Sequence, residues 1–193
     1  MTMKLLVVIG FLTVVGCNVP ALAQVDSVLR HDPSNSLKAA NPQMSRLAAC
    51  LAGDWDSVET MERSSFFPQG GSRKGKIHAR LASGGYTLLY KVHSNGSAGE
   101  LDGFHVIWWD PKARVYRFFA CFNDAGEPCM DRGTAQWEGE SFVNNYYFEA
   151  GWKHIRGRDT FTFTPTTHTL VAEIESERNG KLTTLITTRA KRQ

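Results

Sequence analysis

From position 55 to position 190 this chain never sustains an apolar period long enough for an amphipathic helix. It breaks instead into about ten short runs parted by turn residues. The runs fall near 55–62, 72–82, 85–94, 100–109, 113–123, 128–138, 141–150, 152–164, 168–177 and 181–190. Between them stand Gly84-Gly85, Asn95-Gly96, Asp110-Pro111, Asp124-Ala125-Gly126, Gly139, Gly151 and Asn179-Gly180. Glycine and asparagine accept positive φ in such turns and proline presets it; Asn179-Gly180 is the strongest hairpin signal of the set. Strands joined by short connections lie beside their sequence neighbours, and closing the sheet on itself removes both exposed edges. The expected fold is therefore all-β, a single antiparallel up-and-down barrel of about ten strands.

Alternation along the runs separates two faces. Lys74, Lys76, His78 and Arg80 share one face of the second run, and Ile77, Ala79 and Leu81 share the other. With a net charge of only +3, the basic stripe reads as a solvated outer face that discourages edge pairing, with a membrane-surface or anionic-ligand patch as the alternative. Glu173, Glu175 and Glu177 read as solvated exterior too, and the threonine repeats at Thr160, Thr162, Thr164, Thr183, Thr184, Thr187 and Thr188 as β-propensity. The fourth and fifth runs differ, being apolar on both faces. Phe104, Val106 and Trp108 oppose Ile107 and Trp109, while Tyr116, Phe118 and Phe122 oppose Val115, Phe119 and Cys121. Two apolar faces need two covers. One is the interior; for the other the expectation is the N-terminal helix or a homodimer through strands four and five.

The first 23 residues carry Lys4, an apolar core from Leu5 to Val15 and the small-x-small pattern Ala21-Leu22-Ala23. This is the pattern of a secretory signal peptide, and its core is shorter than the roughly 20 apolar residues that span a bilayer. Val14-Val15-Gly16-Cys17 offers the alternative of a lipoprotein anchored through Cys17. Either way the mature protein is expected to be exported, periplasmic or secreted, with no integral membrane span. Residues 24–41 lack an apolar period and read as a flexible tether. At Asn41-Pro42 a cap and a first-turn proline open a short helix with Met44, Leu47, Ala48 and Leu51 on one face, and Gly53 ends it. Residues 42–193 then form one barrel domain. A hydrophobic fraction of 42% argues against disorder, and a net charge of +3 is small for a nucleic-acid-binding domain.

Cys121 and Cys129 flank Ala125 symmetrically in one hairpin. Directly opposed residues there come within disulfide range, and an exported compartment permits the bond. A slipped register with two free thiols is the alternative. Cys50 is expected to remain a buried thiol on the helix.

Leu51-Ala52-Gly53-Asp54-Trp55, the Gly84-Gly85 turn, Asp102-Gly103 before an aromatic strand, Tyr116 with the later Asp124, and a last strand ending in Arg189 together carry a family resemblance. The Gly53-x-Trp55 entry resembles the calycin group, meaning lipocalins, fatty-acid-binding proteins and nitrobindin-like barrels. More closely, the run from Leu47 to Arg189 resembles an uncharacterised family of bacterial lipocalin-like secreted proteins. The resemblance implies that Gly53, Trp55 and Arg189 are structural, with Arg189 stacked on Trp55 to seal the barrel base. Nitrobindin-like members bind haem, but Asp56-Ser57-Val58-Glu59 stands here where those continue with glycines. No cofactor is expected; a haem would need an axial ligand from His78, His93, His105, His154 or His168, with His105 and His154 the better placed.

No metal site is expected, since Asp102, His105 and His93 lack the spacing of known zinc ligands. A Gly-x-Ser-x-Gly elbow is missing, so no catalytic residue is assigned. A barrel of this strand number is wide enough for a cavity. The leading expectation is a non-enzymatic binder of a small hydrophobic or amphipathic ligand; the alternatives are a haem-binding barrel or an envelope interaction protein with a filled interior. Candidate inward polar groups are Tyr90, His105, Arg117, Trp137, Asn144, Tyr146 and Arg156, with Arg117 and Arg156 as a carboxylate clamp.

Overall fold

The computed structural model describes residues 39–123, 129–150, 153–175 and 180–193. The signal segment with Cys17, the tether up to residue 38, the Asp124-Ala125-Gly126 turn, Gly151, Glu177 and Asn179 lie outside them.

Helix α1 (Pro42–Leu51) begins as its sequence dictates: the Asn41 side chain accepts from the Met44 amide at 2.9 Å, with proline at the first helical position. Ten strands follow: β1 (Gly53–Met61), β2 (Gly71–Ala82), β3 (Thr87–Gly96), β4 (Gly99–Asp110), β5 (Val115–Phe122), β6 (Cys129–Glu138), β7 (Ser141–Ala150), β8 (Lys153–Phe163), β9 (Thr167–Glu175) and β10 (Leu182–Arg192). Each pairs antiparallel with its neighbours in sequence, and β10 returns to β1 to close the barrel. The all-β up-and-down architecture follows directly from the turn spacing.

Strand parity sets the interior. Trp55, Ser57, Glu59 and Met61 of β1 are buried, as are Leu88, Tyr90, Val92 and Ser94 of β3, while their alternates face out. Met44, Leu47 and Leu51 carry the apolar face of α1 into the same core and close one end of the barrel. The helix is fastened there by Trp55 Nε1 donating to the Leu51 carbonyl at 3.0 Å and by the Tyr116 hydroxyl donating to the Gln43 carbonyl at 2.8 Å. Arg46 lies over the Trp137 ring at 3.9 Å from its centroid. The last residues of the segment expected to be a tether (24–41) are also attached, Ala40 donating to the Gly85 carbonyl at 2.9 Å.

The arginine over Trp55 is Arg192, not Arg189. Its guanidinium carbon stands 4.2 Å from the indole centroid, and Nη1 donates to the Ala52 carbonyl at 2.7 Å. Strand β10 runs two residues past the expected end at position 190, which brings Arg192 opposite Trp55. Ala190 and Thr188 point inward, so Arg189 between them is an exposed outer residue opposite Val58. Gly53 fits the same contact. It holds φ +145°, and a Cβ there would lie 2.5 Å from Arg192 Nη1.

The basic stripe of β2 faces out and is met by acids from β1: Lys76 pairs with Asp56, and His78 and Arg80 pair with Asp54. On the outer wall of β3 to β5, Leu89, Val106 and Phe119 oppose one another in a single half-buried row, flanked by Phe104 and Trp108. Cys121 and Cys129 are directly opposed, joined as a disulfide with Cα atoms 4.0 Å apart. Cys50 is a free thiol but half-buried rather than buried; its pKa is raised, chiefly by burial.

Replacing Arg192 with alanine removes a partly buried cation–π contact and a charged hydrogen bond, with an expected loss of about 2 kcal/mol or more. Replacing Arg189 with alanine is expected to cost under about 0.5 kcal/mol. Urea midpoints of the two variants check the assignment; equal losses would return the stacking role to Arg189.

Candidate functional site

Most of the barrel interior at the helix end is aromatic and sealed, with Trp55, Phe118, Phe142 and Phe161 each buried at 1% exposure or less. Above this base the inward positions become polar. Buried polar side chains cost several kcal/mol unless partnered, so their bonding shows what the interior is arranged to hold.

Tyr90 and His105 are cross-strand partners on β3 and β4, and their rings stack at 5.5 Å. The Tyr90 hydroxyl reaches His168 Nε2 on β9 at 3.3 Å, and the His168 ring meets Trp55 edge-on at 4.5 Å. Burial lowers the His168 pKa to about 4, with the Arg192 charge adding to the shift, so the imidazole is neutral near neutral pH. Burial raises the Tyr90 pKa, so the hydroxyl keeps its proton and shares a hydrogen bond with Nε2 whose direction follows the imidazole tautomer. His168 Nδ1 has no partner. This pair holds protons rather than moving them: the hydroxyl is not activated and the imidazole is a poor base.

A second group lies between β1 and β2. Glu59 opposes Arg73, with Oε2 3.7 Å from Nη1, and both side chains are nearly inaccessible. Ser94 donates to Glu59 Oε2 at 3.4 Å and Arg73 Nη2 donates to the Ala98 carbonyl at 3.1 Å. Such added bonds are what offset the desolvation of a buried ion pair.

The third group is on β7 and β8. Tyr146 opposes Gly157 and lies across it, so that a Cβ at 157 would come within 2.2 Å of the ring. Its hydroxyl donates to Asp159 Oδ1 at 3.0 Å. Asn144 opposes Asp159, is fully enclosed, and has no partner for either amide atom.

Of the seven candidate polar groups, Tyr90, His105, Asn144 and Tyr146 therefore face inward and are buried, and Trp137 is half-buried against Phe142 and Phe163 beside the base. Arg117 and Arg156 are corrections. Tyr116 and Phe118 take the inward positions of β5, and Ile155 and Gly157 those of β8. Both arginines consequently stand on the outer wall, Arg117 with Asp110 at 3.3 Å and Arg156 with Glu175 at 3.8 Å. They cannot form one clamp in the lumen.

Glu59, Arg73, Ser94, Asp159 and His168 belong to the interior and were not expected there. For Arg73 a signal existed: it shares parity with Ile77 and Ala79, opposite to the stripe that begins at Lys74. His168, beside the turn between β8 and β9, is 1% exposed.

The histidines also bear on cofactors. His78, His93 and His154 are exposed on the outer wall. His168 has the rings of Trp55, Tyr90, Phe161 and Phe163 within 6.4 Å, and His105 has Tyr90, Phe118 and Phe122 within 5.5 Å. A porphyrin is broader than any of these rings and could reach either imidazole only by displacing them. His93 and Asp102 lie together on the outside while His105 points in, which parts the three zinc candidates. Among the described residues no group of three His, Cys, Asp or Glu side chains is placed to hold a metal.

No family model matches this chain, and no curated protein matches it.

A neutral buried histidine makes stability fall with acid. Between about pH 6.5 and pH 4 the unfolded chain binds a proton at position 168 and the folded chain does not. The stability contributed above pH 6.5 is therefore lost progressively as pH drops through that window, by roughly 3 kcal/mol at most. The difference between wild type and His168→Gln in urea-derived stability should shrink by that order between the two pH values; parallel curves would show that His168 is not held neutral.

Proposed function

We propose that this protein binds a small, largely apolar ligand inside its barrel, against the inner face of β9 and β10. The observation that carries this is an asymmetry of burial. Leu170, Ala172 and Ile174 of β9 and Ile186 of β10 have inward parity, since they oppose Phe161, Asp159, Gly157 and Ala172 in register. Those β8 partners are buried, yet the four aliphatic residues are only half-buried. An inward side chain that keeps accessible surface in mid-strand borders open space, and aliphatic walls favour apolar occupants. The polar layer opposite, above all the unpartnered Asn144 amide, supplies candidate anchors for a ligand's polar end.

A filled interior is the second reading. It is favoured by the helix-end half, where Leu88, Ile107, Phe118, Phe142 and Phe161 have no accessible surface. The two readings divide the barrel: packed beside α1, open along β9 and β10. Action in an exported, oxidising compartment is part of the proposal, supported by the Cys121–Cys129 bridge and the N-terminal signal pattern. So is a homodimer through the half-buried outer row of Val106 and Phe119 on β4 and β5; a monomer in light scattering at micromolar concentration removes that part.

Ala172→Phe tests the ligand site. If β9 borders open space, the variant loses binding of a fluorescent fatty-acyl probe by about tenfold or more while its stability changes by under about 1 kcal/mol. If the interior is filled, the wild type binds no probe and the variant is destabilised by roughly 1–3 kcal/mol or more through overpacking.

A further inference from the structure

The outer wall formed by β10, β1 and β2 is chemically unlike the rest of the barrel. In register, Arg189, Val58 and Lys74 form one row across the three strands, and Lys191, Asp56 and Lys76 form the next. Arg80 and His78 continue the face towards the helix end. The Lys and Arg residues of this wall outnumber Asp54 and Asp56 by three, so it alone accounts for the whole chain's net charge of +3. Lys76, His78 and Arg80 are engaged by those two aspartates, whereas exposed Lys74 and Arg189 stand outside the pairs. Between these two cations sits Val58, 46% exposed on a strand whose other apolar residues are buried. A shallow depression beside it is lined by Asp56, Ser57, Val58, Lys74, Gly75 and Lys76.

The loop that joins β1 to β2 continues this wall at the barrel end opposite α1. It carries exposed Arg63 and Phe66, the latter 39% exposed, and is folded by the Phe67 carbonyl accepting from the Ser64 and Gly70 amides at 3.1 and 2.9 Å. Phe66 keeps part of its ring exposed on this loop, where apolar surface can meet an apolar layer, and the cations of the wall are placed to meet negative headgroups.

We propose that the β10–β1–β2 wall and the 62–70 loop dock onto the surface of an anionic lipid bilayer. Charge complementarity selects an anionic partner, since membrane-adjacent Lys and Arg each add attraction to such a surface. The interleaved Val58 and Phe66 select a bilayer over a soluble polyanion, because apolar side chains gain at the headgroup–acyl boundary and gain nothing beside a phosphate chain in water. The proposal is independent of what the lumen holds.

Vesicle flotation of the full chain tests it. Vesicles of phosphatidylcholine with about 30 mol % phosphatidylglycerol should carry the protein at low salt, lose it as ionic strength rises, and outcompete pure phosphatidylcholine. Lys74→Glu with Arg189→Glu should weaken partitioning by about twenty-five-fold or more, each cation contributing roughly fivefold. Lys112→Glu with Arg114→Glu makes the same change of net charge in the exposed turn between β4 and β5 and should leave partitioning nearly unchanged. Phe66→Ser should weaken binding at low salt without changing the slope of its salt dependence. Melting curves confirm that the variants fold. Failure of the wild type to float with anionic vesicles overturns the proposal, as does an equal loss in the control pair, which would reduce the effect to net charge. Capture by heparin without capture by vesicles would assign the wall to a soluble polyanion and overturn it too.

Discussion

The contact on which the rest of this structure depends is the Arg192 guanidinium laid across the Trp55 indole. It joins the last strand to the first, over a sequence separation that spans the whole barrel, and so completes a sheet that would otherwise have two open edges. The same guanidinium donates to the Ala52 carbonyl where α1 hands over to β1, and Gly53 leaves the space it passes through. Trp55 in turn donates to the Leu51 carbonyl and places its edge against His168. Closure of the sheet, docking of the helix and positioning of one buried imidazole are thus a single arrangement. Loop-closure entropy opposes a pairing this distant in sequence, and a charged hydrogen bond plus a stacked ring concentrated at the seam is a direct means of offsetting it.

From that seam the interior divides into layers. Next to α1, rings meet edge to face: Tyr116 with Phe142 and Trp109, each pair at 5.0 Å. Such pairs add to area burial and leave little freedom. The following layer is polar; two of its pairs are bonded across adjacent strands, Glu59 to Arg73 and Tyr146 to Asp159, and a third, Tyr90 to His168, spans the barrel from β3 to β9. A buried charged or polar group that is partnered in this way fixes register, because slipping one strand by one residue would turn it out of the barrel and strip its partner. Asn144 breaks the pattern. Its amide sits in the same layer with no partner, Ser57 Oγ and His168 Nδ1 likewise have none, and an unpartnered buried polar group costs stability.

How much of this could be read from the sequence follows from which physical signals are local. Turn chemistry and period-two alternation are local, so strand number, order and the capped helix at Pro42–Leu51 were legible, as was the opposition of Cys121 and Cys129 about one turn. Facing was legible only where the two faces differ in polarity. On β5, Tyr116, Phe118 and Phe119 put aromatics on both sides of Arg117, and parity alone could not say which way the arginine pointed; it points out, to Asp110. Buried ion pairs are hidden for the opposite reason, since Glu59 and Arg73 look like ordinary surface charges until their register partners are known. Arg192 was missed because the apolar pattern of β10 fades at Ala190, whereas backbone pairing to β1 carries the strand on to Arg192.

What shapes the lumen is a feature that neither alternation nor composition displays, the pairing of aromatics with glycines. Tyr146 lies over Gly157, and Phe122 lies over Gly103, each so closely that a Cβ on the glycine would come within 2.2 Å of the ring. A ring folded flat over the wall thickens it towards the axis, and both pairs sit on the arc of the barrel between β4 and β8. Strands β9 and β10 carry no such glycine pairs; away from the Trp55 end, where His168 and Arg192 meet the indole, their inward residues are the shorter Leu170, Ala172, Ile174 and Ile186. The interior is therefore asymmetric, crowded by rings on one side and lined by aliphatics on the other. Because Tyr146 is held to Asp159 by its hydroxyl, its ring cannot swing away from Gly157 without breaking a buried bond. The asymmetry is fixed by hydrogen bonding as much as by volume.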